Sequence, residues 1–304
     1  MAIGVFDGVH LGHRALLDRA RAIADETHRP LVVVTFHPHP LSVLRPGSEP
    51  LQLATIRHRV HLLSEAGADA VNLLEFTGDL SRTSPVDWVM ETLVSMPARH
   101  VVVGEDFRFG RGAEGDVQLL REIGQQHDFE VTALPLVVDP DEGAVWSSSR
   151  IRSAIAAGDM AEARHGLARN HCVEGLVVHG DHRGRDLGYP TANINPVAAG
   201  YGGPVAVPKE GVYAGWLVVN PHRPGTMRLP AAISVGTNPT FEDGEEPRVE
   251  AFVLDRDDLT LYDQLVSIEF AQYLREQTAF PDAATLVAQM SQDVESTRKA
   301  LHTP

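Results

Sequence analysis

The chain has 304 residues, 43% hydrophobic and 22% charged, with a formal net charge of −15; this length argues for two domains and this composition for an ordinary globular protein. No apolar run approaches the ~20 residues of a bilayer-spanning helix, and the first residues lack the basic stretch and apolar core of a secretory leader, so no membrane partner is expected. The charge divides evenly, 15 arginines against 23 acidic residues in 1–168 and 11 basic against 18 acidic residues in the remainder, which argues against a nucleic-acid backbone as partner.

One cysteine, Cys172, cannot close an internal disulfide, which fits a cytoplasmic protein. Lys209 and Lys299 are the two lysines of the sequence. Phosphate-binding cations must therefore come mainly from arginine, histidine or a metal.

Residues 1–135 alternate strand-like and helix-like segments. Ala2–Phe6 is a short apolar run, and Leu16, Ala20 and Ile23 follow at helical spacing. Leu31–Phe36 is continuous and β-branched, as a strand buried on both faces requires. Thr55–Ala66 is predicted helical, Ala70–Leu74 a strand, His100–Val103 a strand ending at Gly104, Gly115–Gln126 a helix and Phe129–Leu134 a strand. This alternation predicts a parallel sheet with helical crossovers, whose ligands gather at the carboxyl ends of the strands.

From about His171 the texture changes to short alternating runs: Cys172–His179, Val212–Asn220, Leu229–Val235, Val249–Leu254 and Leu265–Phe270. Connections rich in Gly, Pro and Asn separate them, the pattern of a small antiparallel barrel or sandwich. Pro281 opens a last amphipathic helix with Leu286, Met290 and Val294 on one stripe. The domain boundary is placed near Gly166–Asn170, giving domains 1–168 and 169–304.

Gly4–His13 reads GVFDGVHLGH. A strand, a glycine turn and a helix N-terminus form an anion site, and His10 and His13 can donate hydrogen bonds to phosphate oxygens that gain charge in a transition state. Phe36–Pro40 (FHPHP), Gly104–Gly110 (GEDFRFG) and Ser147–Arg152 (SSSRIR) fall where a strand-end site would draw its loops. Arg108, Arg150 and Arg152 offer the cations that lysine does not. Flanked by Arg, charged residues and Gly, Phe107 and Phe109 read less naturally as packed core than as site residues.

In the second half, residues 180–193 read GDHRGRDLGYPTAN. Thr191 and Asn193 share one face of an extended segment, and the Thr191 hydroxyl is a hard oxygen suited to Mg²⁺ beside ATP phosphates. Glu250 alternates with Val249 and Ala251, which places it beside Arg248 and Phe252. A carboxylate next to an aromatic is a reasonable general base for an alcohol.

GVFDGVHLGH, FHPHP, GEDFRFG and SSSRIR, in this order and spacing, resemble the adenylyltransferase half of the bifunctional bacterial FAD synthetases. PTAN, GVYAG, SVGTNPTF and VEAFVLD resemble the riboflavin kinase half of the same family. The resemblance covers nearly the whole chain. It implies an α/β nucleotidyltransferase domain of the HxGH type with a Rossmann-like parallel sheet, then an antiparallel β-barrel with a terminal helix.

By that resemblance His10, His13 and Arg150 act on the ATP phosphates of adenylyl transfer, with Gly4, Phe6, Asp7, Gly12, Arg108, Ser148 and Arg152 around the nucleotide and Asp106 on its adenine or ribose side. Thr191 and Asn193 hold Mg²⁺-ATP in the kinase, Gly180, Arg183 and Gly188 fold over the nucleotide, Glu250 is the base, and Arg275 lines the flavin side. The implied substrates are riboflavin, FMN and ATP, with FAD as product. An oligomer is compatible with the sequence but not readable from it.

Three departures accompany the resemblance. Family members carry further residues before the first strand, so the expectation is a start upstream of Met1 or a weakened adenylyltransferase half. Asp263 stands where glycine is common, which suggests a different turn, and Ser149 replaces a frequent Thr. The alternatives are a riboflavin kinase with a scaffold N-terminal half and a flavin-binding protein without turnover.

Overall fold

The structure is a computed structural model that describes residues 1–179, 189–196, 204–237 and 247–302. The chain forms two compact units, Met1–Pro50 with Ile56–Ser147, and Leu51–Thr55 with Ser148–Pro304.

In the first unit the elements run β1 (Ala2–Ile3), α1 (Leu11–Glu26), β2 (Val32–His37), α2 (Pro40–Leu44), α3 (Ile56–Glu65), β3 (Ala70–Glu75), α4 (Pro85–Val89, continued by a π-turn over Met90–Val94), β4 (His100–Gly104), α5 (Val117–Gln126) and β5 (Glu130–Leu134). The five strands form one parallel sheet in the order β3-β2-β1-β4-β5. The predicted alternation is thus present, and α2, α4 and the π-turn are additions too short for a periodic signal. The apolar run expected to be a strand to Phe6 stops at Ile3 because Phe6, Gly8 and Val9 all take positive φ. That turn delivers the chain into α1, whose Leu16, Leu17, Ala20, Ile23 and Ala24 are buried. In α5 the Asp116 carboxylate accepts the Leu119 N–H at 2.9 Å, an N-cap that starts the helix two residues after the predicted Gly115.

The second unit comprises α6 (Ser148–Ala157), α7 (Met160–Leu167), β6 (His171–Val178), β7 (Thr191–Asn195), β8 (Gly211–Val219), β9 (Met227–Thr237), β10 (Pro247–Val253), β11 (Leu265–Arg275) and α8 (Ala283–Leu301). Its six strands close into an antiparallel barrel in the order β10-β7-β6-β11-β8-β9, so the barrel-or-sandwich ambiguity resolves to a barrel. Ile151, Ala154, Ile155, Met160, Ala163 and Leu167 of α6 and α7 join one apolar core with barrel residues such as Val173, Leu217, Ile233, Ala251 and Ile268. That shared core groups 148–168 with the barrel, whereas texture alone placed the boundary near 168.

The closing helix α8 begins at Ala283, two residues after Pro281, because the Asp282 carboxylate caps it by accepting the Thr285 N–H at 2.7 Å. Its expected stripe of Leu286, Met290 and Val294 is half-buried, while the buried residues are the polar Asp293 and Thr297. Arg275 accounts for the first: its guanidinium donates to both Asp293 oxygens at 2.7 and 2.6 Å, tying α8 to β11. The turn before β11 places Asp263 at φ +59°, the left-handed region that glycine favours and Asp tolerates. Asp263 thus adopts the backbone conformation that a glycine would supply at this position.

Gly215 of β8 marks the tightest contact of the barrel wall. A Cβ built there would lie 2.0 Å from the Glu269 carbonyl oxygen and 2.5 Å from Ile233. Overpacking against backbone cannot be relieved by a rotamer change. Gly215→Ala is expected to destabilise the second unit by at least ~1–3 kcal/mol, read as a lower denaturant midpoint; an unchanged midpoint would show that the wall yields.

Candidate active sites

The first site is built on the turn after β1. His10 is the N-cap residue of α1, with extended backbone and no side-chain capping bond to the helix. Its ring is buried and stacks on that of His13 at 3.6 Å between centroids, with Phe6 edge-on to His13 at 5.2 Å. Gly12 lets the pair form, since a Cβ there would lie 3.1 Å from the His10 ring. Gly4 likewise leaves room for the Phe6 ring, 3.1 Å from a Cβ built on it. Asp7 is buried and faces the Arg59 guanidinium at 3.6 Å. The sequence-predicted Gly4, Phe6, Asp7, His10, Gly12 and His13 are thus brought together.

Burial, the neighbouring His10 and the Arg59 charge together hold His13 well below the usual imidazole range. His13 is accordingly a neutral ring at physiological pH, offering one N–H and one lone pair. Its Nδ1 is buried and without a hydrogen-bond partner among the described residues.

The neighbouring strand ends carry the other motifs of this unit. His37 closes β2, and His39 accepts the Leu41 N–H at the start of α2. Gly104 closes β4, with Asp106 and Arg108 exposed beyond it. β1 and β4 are adjacent, and the strand order reverses between them, the crevice where open parallel sheets bind ligands. Phe107 and Phe109 correct an expectation: Phe109 is 6% exposed, stacks with Phe107 at 5.6 Å and meets Trp88 at 5.2 Å. They are core residues, and their packing holds Asp106 and Arg108 outward.

SSSRIR lies in the second unit, where Ser148 begins α6. Arg150 is paired there with Glu162 of α7, and Arg152 Nε donates to the Leu51 carbonyl at 2.6 Å.

The barrel carries the second constellation. Asn193 of β7 lies opposite Glu250 of β10, which in turn lies opposite Ser234 of β9; Thr191 lies opposite Phe252. Directly opposed residues share a sheet face, and Val249, Ala251 and Val253 fill the interior. Asn193, Glu250 and Ser234 therefore form one polar row on the outer wall, all half-buried. Arg248, two residues before Glu250, sets its guanidinium 3.8 Å from the carboxylate. Tyr189 covers the row's edge, its ring 5.0 Å from Phe252 and its hydroxyl 2.7 Å from Ser291 of α8. Beside Thr191 opens a cavity of about 400 Å³ with apolar walls from Val177, Ala192, Ala251, Val253 and Leu261. Arg275 is engaged with Asp293, and its guanidinium stands 5.9 Å from the Phe280 ring. Gly180, Arg183 and Gly188 lie outside the described residues.

A family model described as FAD synthetase matches residues 1–150, and one described as riboflavin kinase matches residues 167–301. A bifunctional riboflavin kinase/FMN adenylyltransferase of Listeria monocytogenes is 36% identical over 98% of this chain and 91% of its own length. The corresponding enzyme of Escherichia coli K12 is 32% identical over 96% and 90%. The chain belongs to the bifunctional riboflavin kinase/FMN adenylyltransferase family. A solved structure from Streptococcus pneumoniae, described as a macrolide-efflux protein, shares the fold at TM-score 0.82 and 31% identity over 98% of this chain and 93% of that one. Matches to both halves favour the two-enzyme reading over a kinase with a scaffold domain. Among the described residues, no helix is long and apolar enough to cross a membrane.

Sequence reasoning missed Arg59, Tyr189 and Asp293. Arg59 had a signal: with Leu62 and Leu63 it falls at helical spacing on the buried side of α3. Asp293 sat beside the apolar stripe of α8, and its partner is 18 residues away, beyond any local pattern.

The neutral His13 ring carries a pH signature. It takes up a proton on unfolding at any pH between its lowered folded value and the ordinary 6.5, so it contributes stability above about 6.5 that is lost as pH falls through that window. His13→Gln is expected to narrow the drop in denaturant midpoint between about pH 7.5 and pH 5.5. An equal drop in parent and variant would contradict a depressed His13.

Proposed function

We propose that the chain makes FMN and then FAD, with ATP as co-substrate of both steps, each on its own machinery. In the second unit Glu250 takes the proton of the riboflavin 5′-hydroxyl as that oxygen attacks the γ-phosphorus of ATP; ADP leaves and FMN remains. Arg248 beside the carboxylate fixes its orientation, and Asn193 across the strand pair stands next to the reacting groups. The apolar cavity beside Thr191 takes the adenine, Gly180, Arg183 and Gly188 are assigned to the nucleotide, and Arg275 with α8 borders the flavin.

The donor set fits Mg²⁺, since Thr191 and Asn193 offer hard oxygens on the face that carries Glu250. An ion held there would neutralise charge on the ATP phosphates.

In the other step a phosphate oxygen of FMN attacks the α-phosphorus of ATP, and pyrophosphate departs. No protein nucleophile is needed, so catalysis consists of alignment and stabilisation of developing charge. His10 and His13 donate to the phosphates. Ser148, Arg150 and Arg152 bind the triphosphate, Arg108 adds positive charge, and Asp106 takes the adenine or ribose side. The functional domains are residues 1–168 and 169–304, and the enzyme works in the cytoplasm.

The observation that carries this reading is that one chain holds two separate polar constellations, the stacked His10–His13 pair after β1 and the Asn193–Glu250–Ser234 row on the barrel. Separate constellations predict separable losses. His13→Ala is expected to lower conversion of FMN to FAD by ~10²-fold or more while riboflavin phosphorylation persists. Glu250→Gln should do the reverse, with phosphorylation down by ~10²–10⁴-fold and adenylylation intact. Loss of both activities in either folded variant would defeat the assignment.

A further inference from the structure

One buried charge of the first unit has no part in the chemistry above. Arg59 is 1% exposed, and a guanidinium is not carried into a protein interior unless fixed groups there replace its water. Those groups lie at the nucleotide corner. Nη2 stands 3.6 Å from the Asp7 carboxylate, and Nη1 donates to the carbonyl oxygens of Val5 at 3.2 Å and Phe36 at 3.3 Å. Val5 and Asp7 belong to the turn that leads to His10, and Phe36 is the penultimate residue of β2. One side chain thus binds the ends of two adjacent parallel strands and the acidic residue between β1 and the histidines. The Thr35 hydroxyl donates to the same Val5 carbonyl at 2.9 Å, so this oxygen is held from two sides.

We propose that Arg59 is a positioning residue of adenylyl transfer, fixing the turn that aims His10 and His13 and presenting a permanent cation beneath them. The inference rests on reading this corner as the adenylyl-transfer site. A planar fork suits the task, because it reaches a carboxylate and two carbonyls together where an ammonium is a single point charge. Asp7, His13 and His37 lie within reach of its charge, which helps keep both His13 and His37 below the usual imidazole range. The site thereby gains positive potential for phosphate while the His13 and His37 rings stay neutral. The imidazoles keep an N–H to donate and a lone pair to accept.

The test uses the full chain carrying Arg59→Met or Arg59→Lys, with three readouts on one preparation: FMN adenylylation, riboflavin phosphorylation, and the NMR titration of the His13 ring, assigned by its absence in His13→Gln. Arg59→Met is expected to lose ~10²-fold or more of adenylylation, to phosphorylate riboflavin at the parental rate, and to protonate His13 at higher pH than the parent. Arg59→Lys should keep the parental His13 titration yet lose about tenfold of adenylylation, because charge is retained and the fork is not. Parental adenylylation, or a parental His13 titration, in a kinase-active Arg59→Met variant overturns the proposal. If that variant does not fold, Arg59→Lys decides, and parental adenylylation in it overturns the proposal. A parent chain that makes no FAD would instead defeat the reading of the corner, while the His13 titration would still report on Arg59.

Discussion

A guanidinium cut off from water must be answered by oxygens that cannot move away, and at Arg59 those oxygens belong to the turn after β1 and the end of β2. The turn needs that restraint. Phe6 and Val9, neither of them glycine, are held at positive φ on either side of Gly8, conformations that persist only where surroundings over-determine them. From this follows the placement of His10 at the cap of α1, its stack on His13, and the tight fit at Gly12, where a Cβ would lie 3.1 Å from the His10 ring. On the proposed reading of this corner, the neutral His13 ring can serve a triphosphate because Arg59 supplies a nearby charge that does not dissociate.

The barrel obeys a different constraint. A closed sheet leaves one face for the core, so every second residue of β10 is committed inward, and Val249, Ala251 and Val253 fill that role. Whatever is polar must go to the outer wall. Strand pairing then aligns Asn193, Glu250 and Ser234 with no further device. The outer wall is shielded in part by α8, which is held by a fork between Arg275 and Asp293 as well as by apolar packing. The arginine that the resemblance assigns to the flavin side thus anchors α8 to β11.

Much of this was legible in residue order. Period and β-branching located all five strands of the sheet, and alternation on β10 separated Glu250 from its core neighbours before any pairing was known. The HxGH corner was readable because its histidines, glycines and turn are consecutive. Less legible was anything set by packing at a distance. Phe107 and Phe109 sit between charged residues and glycines, yet Trp88 draws them inward. α6 follows the motifs of the first half in sequence while its Ile151 and Ile155 are buried with the barrel. Arg59 and Asp293 are polar residues on buried helix faces, and their partners lie far along the chain.

The turn at Asp263 bears on how such families should be compared. In residue letters, an aspartate where the sequence reading expects glycine counts as a departure. In dihedral angles it does not: φ is +59°, the left-handed region that glycine favours, and the Asp263 N–H donates to the Val177 carbonyl of β6 at 2.9 Å. What such a corner requires is a handedness of the backbone, and any side chain that tolerates it can stand there.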